Sequence, residues 1–347
     1  MRAAIFNGPG DVSVGERPDP VIQQPTDAIV RVVLACVCGS DLWYFRGESD
    51  HAVGSIGHEC IGVVEALGSG VAGLSTGDFV IMPFLSSDGT CRICRAGMHS
   101  NCIHVGAFGN GVSDGGQGEF VRVPYAEATL VKVPGGAGLG EDTMKSVLAL
   151  SDVMCTGHHA AVSAGVKQGD IVAVVGDGAV GLCGVLAAAR LGAERVIALS
   201  RHADRQHLAK EFGATDIIEA RGDEANEAVL EITDGIGVDA ALECVGTGES
   251  MSTAFTIVRP GGGVGLVGVP HDAAPPFPET FWRNVGVRGG PAPARAYIPA
   301  LLDDVLAGRI NPGLVFNFET DIDGIPGAYA ARDERRAIKS LIRVGNP

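Results

Sequence analysis

The stretch Ile171-Val172-Ala173-Val174-Val175-Gly176-Asp177-Gly178-Ala179-Val180-Gly181 constrains this chain more than any other. Five apolar residues, mostly β-branched, suit a strand covered on both faces. Gly176, Gly178 and Gly181 then fit the pattern G-x-G-x-x-G. The first glycine allows a tight turn, the second lets a pyrophosphate approach the backbone, and the third lets helix and strand pack closely. A helix follows from Ala179 to Arg190 and stops near Gly192. Its first residues, Ala179 and Val180, offer free N–H groups and a positive dipole end to phosphate. Three glycines carry little weight alone in a chain with 51 of them. The flanking strand and helix are what point to a dinucleotide site, the plainer alternative being a tight turn with no ligand.

The alternation continues beyond this turn. Strands are expected at 171–175, 195–199, 215–218, 238–242 and 263–267, with helices at 179–191, 203–212, 223–233 and 249–258. That is an α/β pattern, a doubly wound parallel sheet of the Rossmann kind. At 347 residues the chain has room for two domains, and the glycine turn falls mid-chain, so a whole domain precedes it. Ala3–Phe6, Ala28–Ala35, the strands and glycine turns of 61–83, Phe120–Val123 and Thr129–Val133 all read as β structure, a small barrel. After Pro270 the alternation fades. Asn284–Gly289 reads as a strand, Ala296–Ala307 as a helix and Asp333–Ser340 as a last helix. This tail is short for a domain and is expected to return to the first. The expected division is therefore 1–148 with 285–347, and 149–284.

Hydrophobic residues make up 46% of the chain and aromatics only 5%, so the core must be aliphatic and alanine-rich. A formal net charge of -15 argues against nucleic acid and anionic membranes as partners. No run of about 18 apolar residues is present, and the first residues, which quickly turn polar, do not read as a signal peptide. Nine cysteines, four of them at or beside metal-type spacings, fit reduced thiols in a cytoplasm better than disulfides.

Two constellations carry metal chemistry. Cys38 heads a segment that closes in Gly57-His58-Glu59, and a soft thiolate with an imidazole suits zinc. Asp41 is placed to orient the histidine through its other ring nitrogen. Taken singly, a lone Cys is more often a small buried hydrophobe and a lone His a structural donor. Further on, Cys91 and Cys94 form C-x-x-C, Cys102 follows, and Asp88 stands three before Cys91. Four candidate ligands in one lobe would close a tetrahedral, structural site. A redox C-x-x-C is the rival, but it usually sits beside a βαβ unit and these flanks are loop-like. His99 and His104 read as loop residues.

NAD sites place an acid about 20 residues past the glycines, on the ribose 2′-OH, and NADP sites an Arg nearby. Strand 195–199 ends instead at Ser200-Arg201-His202. Arg201 with Ser200 suits a 2′-phosphate, which favours NADP(H); the plainer alternative is a solvated basic loop. Gly246, Val267, Gly268 and Val269, beyond two later strands, complete the candidate coenzyme-binding set.

In these motifs the chain resembles the medium-chain, zinc-dependent alcohol dehydrogenases over essentially its whole length. Cys38-Gly39-Ser40-Asp41, Gly57-His58-Glu59, the Cys91/Cys94/Cys102 lobe and Gly176-x-Gly178-x-x-Gly181 stand in that family's order. The details resemble most the branch of NADP-dependent secondary alcohol dehydrogenases and glutathione-independent formaldehyde dehydrogenases. The resemblance implies a GroES-like catalytic domain built from both chain ends around a Rossmann domain, with a homodimer or homotetramer as the assembly. It implies Cys38, His58 and Asp152 as catalytic zinc ligands, Glu59 as the acid that approaches or replaces water there, and Cys155 as a rival to Asp152. It implies Ser40 as the hydroxyl that takes the substrate's proton, and Lys339 as a basic coenzyme contact. Two departures stand out: Asp88 occupies the place of the lobe's first cysteine, and Trp43 that of a histidine used as a proton relay. Trp43, Tyr44, Phe84, Phe108 and Phe281 are then candidates for the pocket walls.

The implied reaction is reversible oxidation of an alcohol to an aldehyde or ketone, zinc acting as Lewis acid and the nicotinamide as hydride carrier. The alternatives are a zinc-free quinone or enone reductase of the same superfamily, an NAD-dependent formaldehyde dehydrogenase-like enzyme, and a nucleotide-binding protein without catalysis.

Overall fold

The computed structural model describes residues 1–270 and 273–346. The chain forms two compact units, Val153–Ala292 and Met1–Asp152 with Pro293–Pro347.

In the unit Val153–Ala292, six strands form one parallel sheet. Their order is Asp216–Ile218, Arg195–Leu199, Ile171–Val175, Val238–Glu243, Val258–Leu266, Gly286–Gly289. The order reverses beside Ile171–Val175, so the carboxyl end of that strand lies at the topological switch point, where such sheets bind ligands. Helices Ala179–Arg190, Ala203–Glu211, Gly222–Ile232 and Gly248–Ile257 link successive strands. Val172, Ala173 and Val174 are all fully buried, as a strand covered on both sides requires. The last of these helices is closed at its N-terminus by a capping box, Thr247 and Ser250 exchanging side chain and backbone bonds.

The other unit is built on the ten-residue strand Ala28–Val37, nine of whose residues are buried. One edge pairs with Cys60–Leu67. The other edge is shared, its first half by Phe120–Val123 and its second half by Lys339–Arg343. A smaller sheet, Asp11–Glu16, Arg2–Gly8, Gly54–Ile56 and Asn110–Gly111, packs into the same aliphatic core through Ala4, Phe6, Val12 and Ile56.

Two sequence expectations shift. The expected boundaries at 148/149 and 284/285 fall at 152/153 and 292/293. The second moves because Gly286–Gly289 pairs with Val258–Leu266 and so completes the parallel sheet. The expected helix over Asp333–Ser340 is not formed. The helix is Ile325–Asp333, Arg335 turns the chain out of it at φ 59°, and Lys339–Arg343 is a strand. The charged run Asp333 to Arg336 marks a helix end and not its body. Nothing in the local pattern shows that Ser340 and Leu341 will find Val37 and Cys36, which lie near the other end of the chain.

Candidate metal centres and coenzyme turn

Strand Ala28–Val37 ends at the first candidate ligand. Cys38 follows it directly, and the chain turns through Gly39 and Ser40 into the short helix Asp41–Arg46. Asp41 is buried and its carboxylate accepts the Cys38 N–H at 3.0 Å, which fixes the turn that presents the thiol. His58 stands just before strand Cys60–Leu67, and Asp152 in the turn after helix Glu141–Ala149.

These elements bring Cys38, His58, Glu59 and Asp152 together, with one ligand atom from each lying within 4.8 Å of the others. Asp152 Oδ2 is 3.4 Å from Cys38 Sγ and 3.4 Å from His58 Nε2. Ligand atoms around one tetrahedral zinc stand roughly 3.3–3.8 Å apart, given bond lengths of ~2.0–2.3 Å. The donor set, one thiol, one imidazole and carboxylates, and its spacing therefore fit a zinc ion. Cys155 is not in the cluster; Asp152 takes that place.

His58 is held from behind. Its Nδ1 lies 3.4 Å from Asp41 Oδ1, leaving Nε2 for the metal position. Asp41 is itself fixed by Gln117, whose Nε2 donates to Asp41 Oδ2 at 3.2 Å and to the Cys36 carbonyl at 3.0 Å, while Tyr329 donates to Gln117 Oε1 at 3.0 Å. Sequence reasoning misses Gln117 and Tyr329, since they arrive from distant segments with no motif of their own. Burial alone would lower the His58 pKa, but the Asp41 carboxylate beside Nδ1 and the hydrogen bond to Asp152 override it and raise it well above the ordinary value. Burial pushes the Cys38 thiol up, with Asp152 adding to it. An ion that holds Cys38 as thiolate removes that penalty.

Glu59 is wholly buried. Its Oε1 accepts from Lys339 Nζ at 2.6 Å, and Oε2 has no hydrogen-bond partner among the described residues. Lys339 is equally buried. The sequence expectation puts this lysine on the coenzyme; the structure turns it inward, because strand Lys339–Arg343 seals the edge of Ala28–Val37 and carries the side chain to Glu59. Burial works against the ammonium, but the Glu59 carboxylate in contact with it holds it charged.

Ser40 is half-buried, caps the helix without a side-chain hydrogen bond, and is next to Asp41. Phe84 stands edge-on to His58, with ring centroids 6.4 Å apart. Tyr44 instead packs on His51 at 4.5 Å, and Phe108 lies in the core. Trp43 is half-buried, and Phe281 is exposed on helix Phe277–Arg283.

The second cluster is Asp88, Cys91, Cys94 and Cys102, with ligand atoms again within 4.8 Å. Cys91 Sγ is 3.9 Å from Cys102 Sγ, and the three cysteines are free thiols. Backbone amides converge on the sulfurs: Cys94 N–H reaches Cys91 Sγ at 3.4 Å, and the Asp88 and His104 N–H groups each reach Cys102 Sγ at 3.3 Å. The amide of Cys94 and that of Ile103 bring the Cys91 thiol down to about 7, whereas burial pushes Cys94 up to about 12. Asp88 Oδ1 accepts the N–H groups of Cys91 and Thr90, and Oδ2 meets His104 Nδ1 at 2.8 Å; the Cys91 amide and His104 hold this carboxyl well below its usual range. His104, expected as a plain loop residue, thus orients Asp88. His99 begins a short helical turn and is not in the cluster.

The glycine turn stands at the carboxyl end of Ile171–Val175. Gly176 adopts φ 116°, open to glycine alone at little cost, and a side chain on Gly181 would collide with the Gly176 carbonyl. At Gly178, which precedes the first residue of helix Ala179–Arg190, a side chain would meet nothing within 4 Å. Ser200 and Arg201 follow the neighbouring strand Arg195–Leu199, Ser200 buried and Arg201 exposed. Gly246, Val267, Gly268 and Val269 cluster beyond the next two strands. A side chain on Gly246 would strike the Val269 carbonyl, and Glu243 accepts from the N–H groups of Val245 and Gly246 at 2.9 and 2.8 Å. No helix among the described residues is long and apolar enough to cross a membrane.

Two family profiles match the chain: one described as "Alcohol dehydrogenase GroES-like domain" over residues 24–135, the other as "Zinc-binding dehydrogenase" over 179–304. A probable zinc-binding alcohol dehydrogenase of Mycobacterium tuberculosis is 35% identical over 340 residues, 96% of this chain and 86% of the relative. An NADP-dependent isopropanol dehydrogenase of Thermoanaerobacter brockii is 33% identical over 339 residues, 94% of each chain. Among solved structures, an alcohol dehydrogenase from a Thermus species superposes with a TM-score of 0.91 at 34% identity, over 99% of this chain and 100% of that one.

Proposed function

This chain belongs to the medium-chain, zinc-dependent alcohol dehydrogenases, and on that premise we propose that it interconverts an alcohol and an aldehyde or ketone, with NADP(H) as the hydride partner and a catalytic zinc held by Cys38, His58 and Asp152. It is an oxidoreductase built from a GroES-like and a Rossmann-type domain. The observation that carries the proposal is the spacing of Cys38, His58 and Asp152, 3.4 Å at both measured edges.

When bound, zinc supplies Lewis acidity to the substrate's oxygen while the nicotinamide exchanges hydride with the carbon. The protein supplies the rest. Asp41 holds His58 so that Nε2 points at the metal position. Cys38 and Asp152 bring two negative charges, which match a divalent ion. Lys339 matches the charge of Glu59, so no uncompensated third anion opposes the negative charge that develops as an alcohol loses its proton. Ser40 takes that proton at its hydroxyl oxygen and passes its own onward. Trp43 cannot relay it, because an indole has a donor and no acceptor. Ser200 and Arg201 support NADP(H) through the hydrogen bonds a 2′-phosphate accepts, as does the likeness to the NADP-dependent isopropanol dehydrogenase.

Zinc per chain, measured by elemental analysis on chelator-washed protein, tests the reading. Two ions are expected in the native chain. Cys38→Ser is expected to hold one and to lose alcohol turnover by roughly 10²–10³-fold, the several kcal/mol of Lewis-acid stabilisation. Intact turnover in Cys38→Ser would overturn it, and a zinc-free chain that reduces quinones or enones would replace it with the reductase reading.

A further inference from the structure

The glycine turn carries an acid between its first two glycines. Asp177 Oδ2 accepts from the Ser200 hydroxyl at 3.0 Å and from the Arg201 N–H at 3.2 Å, while Oδ1 accepts from Arg205 Nη1 at 3.0 Å. The Asp177 and Arg205 side chains are only 14% and 11% exposed, and Ser200 is buried. Arg205 stands in helix Ala203–Glu211, and Gln206 beside it pins the Ser200 carbonyl at 2.9 Å. The Arg201 side chain is exposed and forms no ion pair among the described residues.

So the hydroxyl and amide that would grip a 2′-phosphate already serve a carboxylate. The position where NAD sites offer an acid to the ribose 2′-OH is filled here from the first turn and not from the end of the second strand. A 2′-phosphate must take these donors from Asp177 and sit beside its charge. A plain 2′-OH can donate to Asp177 instead. Arg205 offsets that charge, and Arg201 adds a second cation.

We propose that Asp177 restrains NADP(H) binding, that Arg205 partly lifts the restraint, and that the pair sets the balance between NADP(H) and NAD(H). The proposal rests on the reading of this turn as a dinucleotide site, and predicts a coenzyme preference that is moderate and not absolute.

Isothermal titration of the full chain with 2′,5′-ADP and with 5′-AMP tests it without any turnover. The two probes differ only in the 2′-phosphate. Asp177→Asn keeps the shape and removes the charge; it should tighten 2′,5′-ADP roughly tenfold relative to 5′-AMP, the scale of one charged hydrogen-bond partner. Arg205→Gln should weaken 2′,5′-ADP by a similar factor relative to 5′-AMP, and Arg205→Lys should recover part of it. Should Arg205→Gln fail to fold, the Asp177→Asn ratio decides alone. Equal changes for both probes, or none, would overturn the proposal while leaving the dinucleotide site standing. Failure of the native chain to bind either probe would overturn both.

Discussion

Lys339 and Glu59 are both fully buried with 2.6 Å between their charges, and such a pair is costly to break from one side. Lys339→Met leaves the Glu59 carboxylate alone and should lower stability by about 3–5 kcal/mol, whereas pairing it with Glu59→Leu should recover most of the loss. Urea unfolding of the two variants checks this; equal losses would show that packing of the lysine stem matters and not charge. His104 is another residue whose role depends on a partner, since its ring meets Asp88 Oδ2. His104→Ala should weaken zinc in the lobe by roughly 10–100-fold, as loss of such an orienting partner does, without lowering zinc at Cys38. Competition with a chromogenic chelator reads both sites, and unchanged affinity in the lobe would leave His104 a plain surface residue. Residues whose chemistry is local are legible in the sequence: C-x-x-C brings Cys91 and Cys94 onto one short turn, and G-x-G-x-x-G needs no distant partner. The roles of His104, Gln117, Tyr329 and Arg205 and the inward turn of Lys339 are not, because each acts through a contact that no spacing announces.

The elements divide along the same line. Expected and observed parallel strands agree closely at Ile171–Val175 and Arg195–Leu199, since a strand buried on both faces needs an apolar run of its own. Lys339–Arg343 escapes sequence reasoning because only its pairing with Ala28–Val37 makes it a strand. The close crossing at Gly181 yields a prediction for the helix it helps begin. Gly181→Ala forces helix Ala179–Arg190 away from the turn and should lower stability by about 1–3 kcal/mol, the usual cost of overpacking. It should also weaken 5′-AMP binding; thermal melting and titration of that variant report the two effects, and unchanged values of both would rule out a tight crossing.

Across the whole molecule, acid stability follows from carboxylates held below their ordinary range. Arg195 grips Asp216 with two nitrogens, at 2.7 and 2.8 Å, and lowers its pKa. At Asp239 and Glu319 burial resists, but the Ile171 amide with Arg259, and Lys145 with Arg343, prevail and lower both. A depressed folded-state value means that the folded chain binds fewer protons. The stability from these groups is therefore present above about pH 4, where unfolded carboxylates titrate, and is lost as pH falls through the folded values. Asp216→Asn should melt below the native chain at pH 7, and the gap should narrow progressively as pH falls below about 4; a gap independent of pH would exclude the ionic explanation.

Strand Ala28–Val37 takes one of its edge partners from Lys339–Arg343, and this sets an order of events during synthesis. A ribosome delivers the whole of Val153–Ala292 before it delivers that partner. The parallel-sheet unit can therefore finish folding on the nascent chain while the other unit waits with half of one strand edge open. During that interval Glu59 lacks its cation and the backbone beside Cys36 has nothing to pair with, so the emerging chain presents an adhesive ridge to chaperones and to its neighbours on the same message.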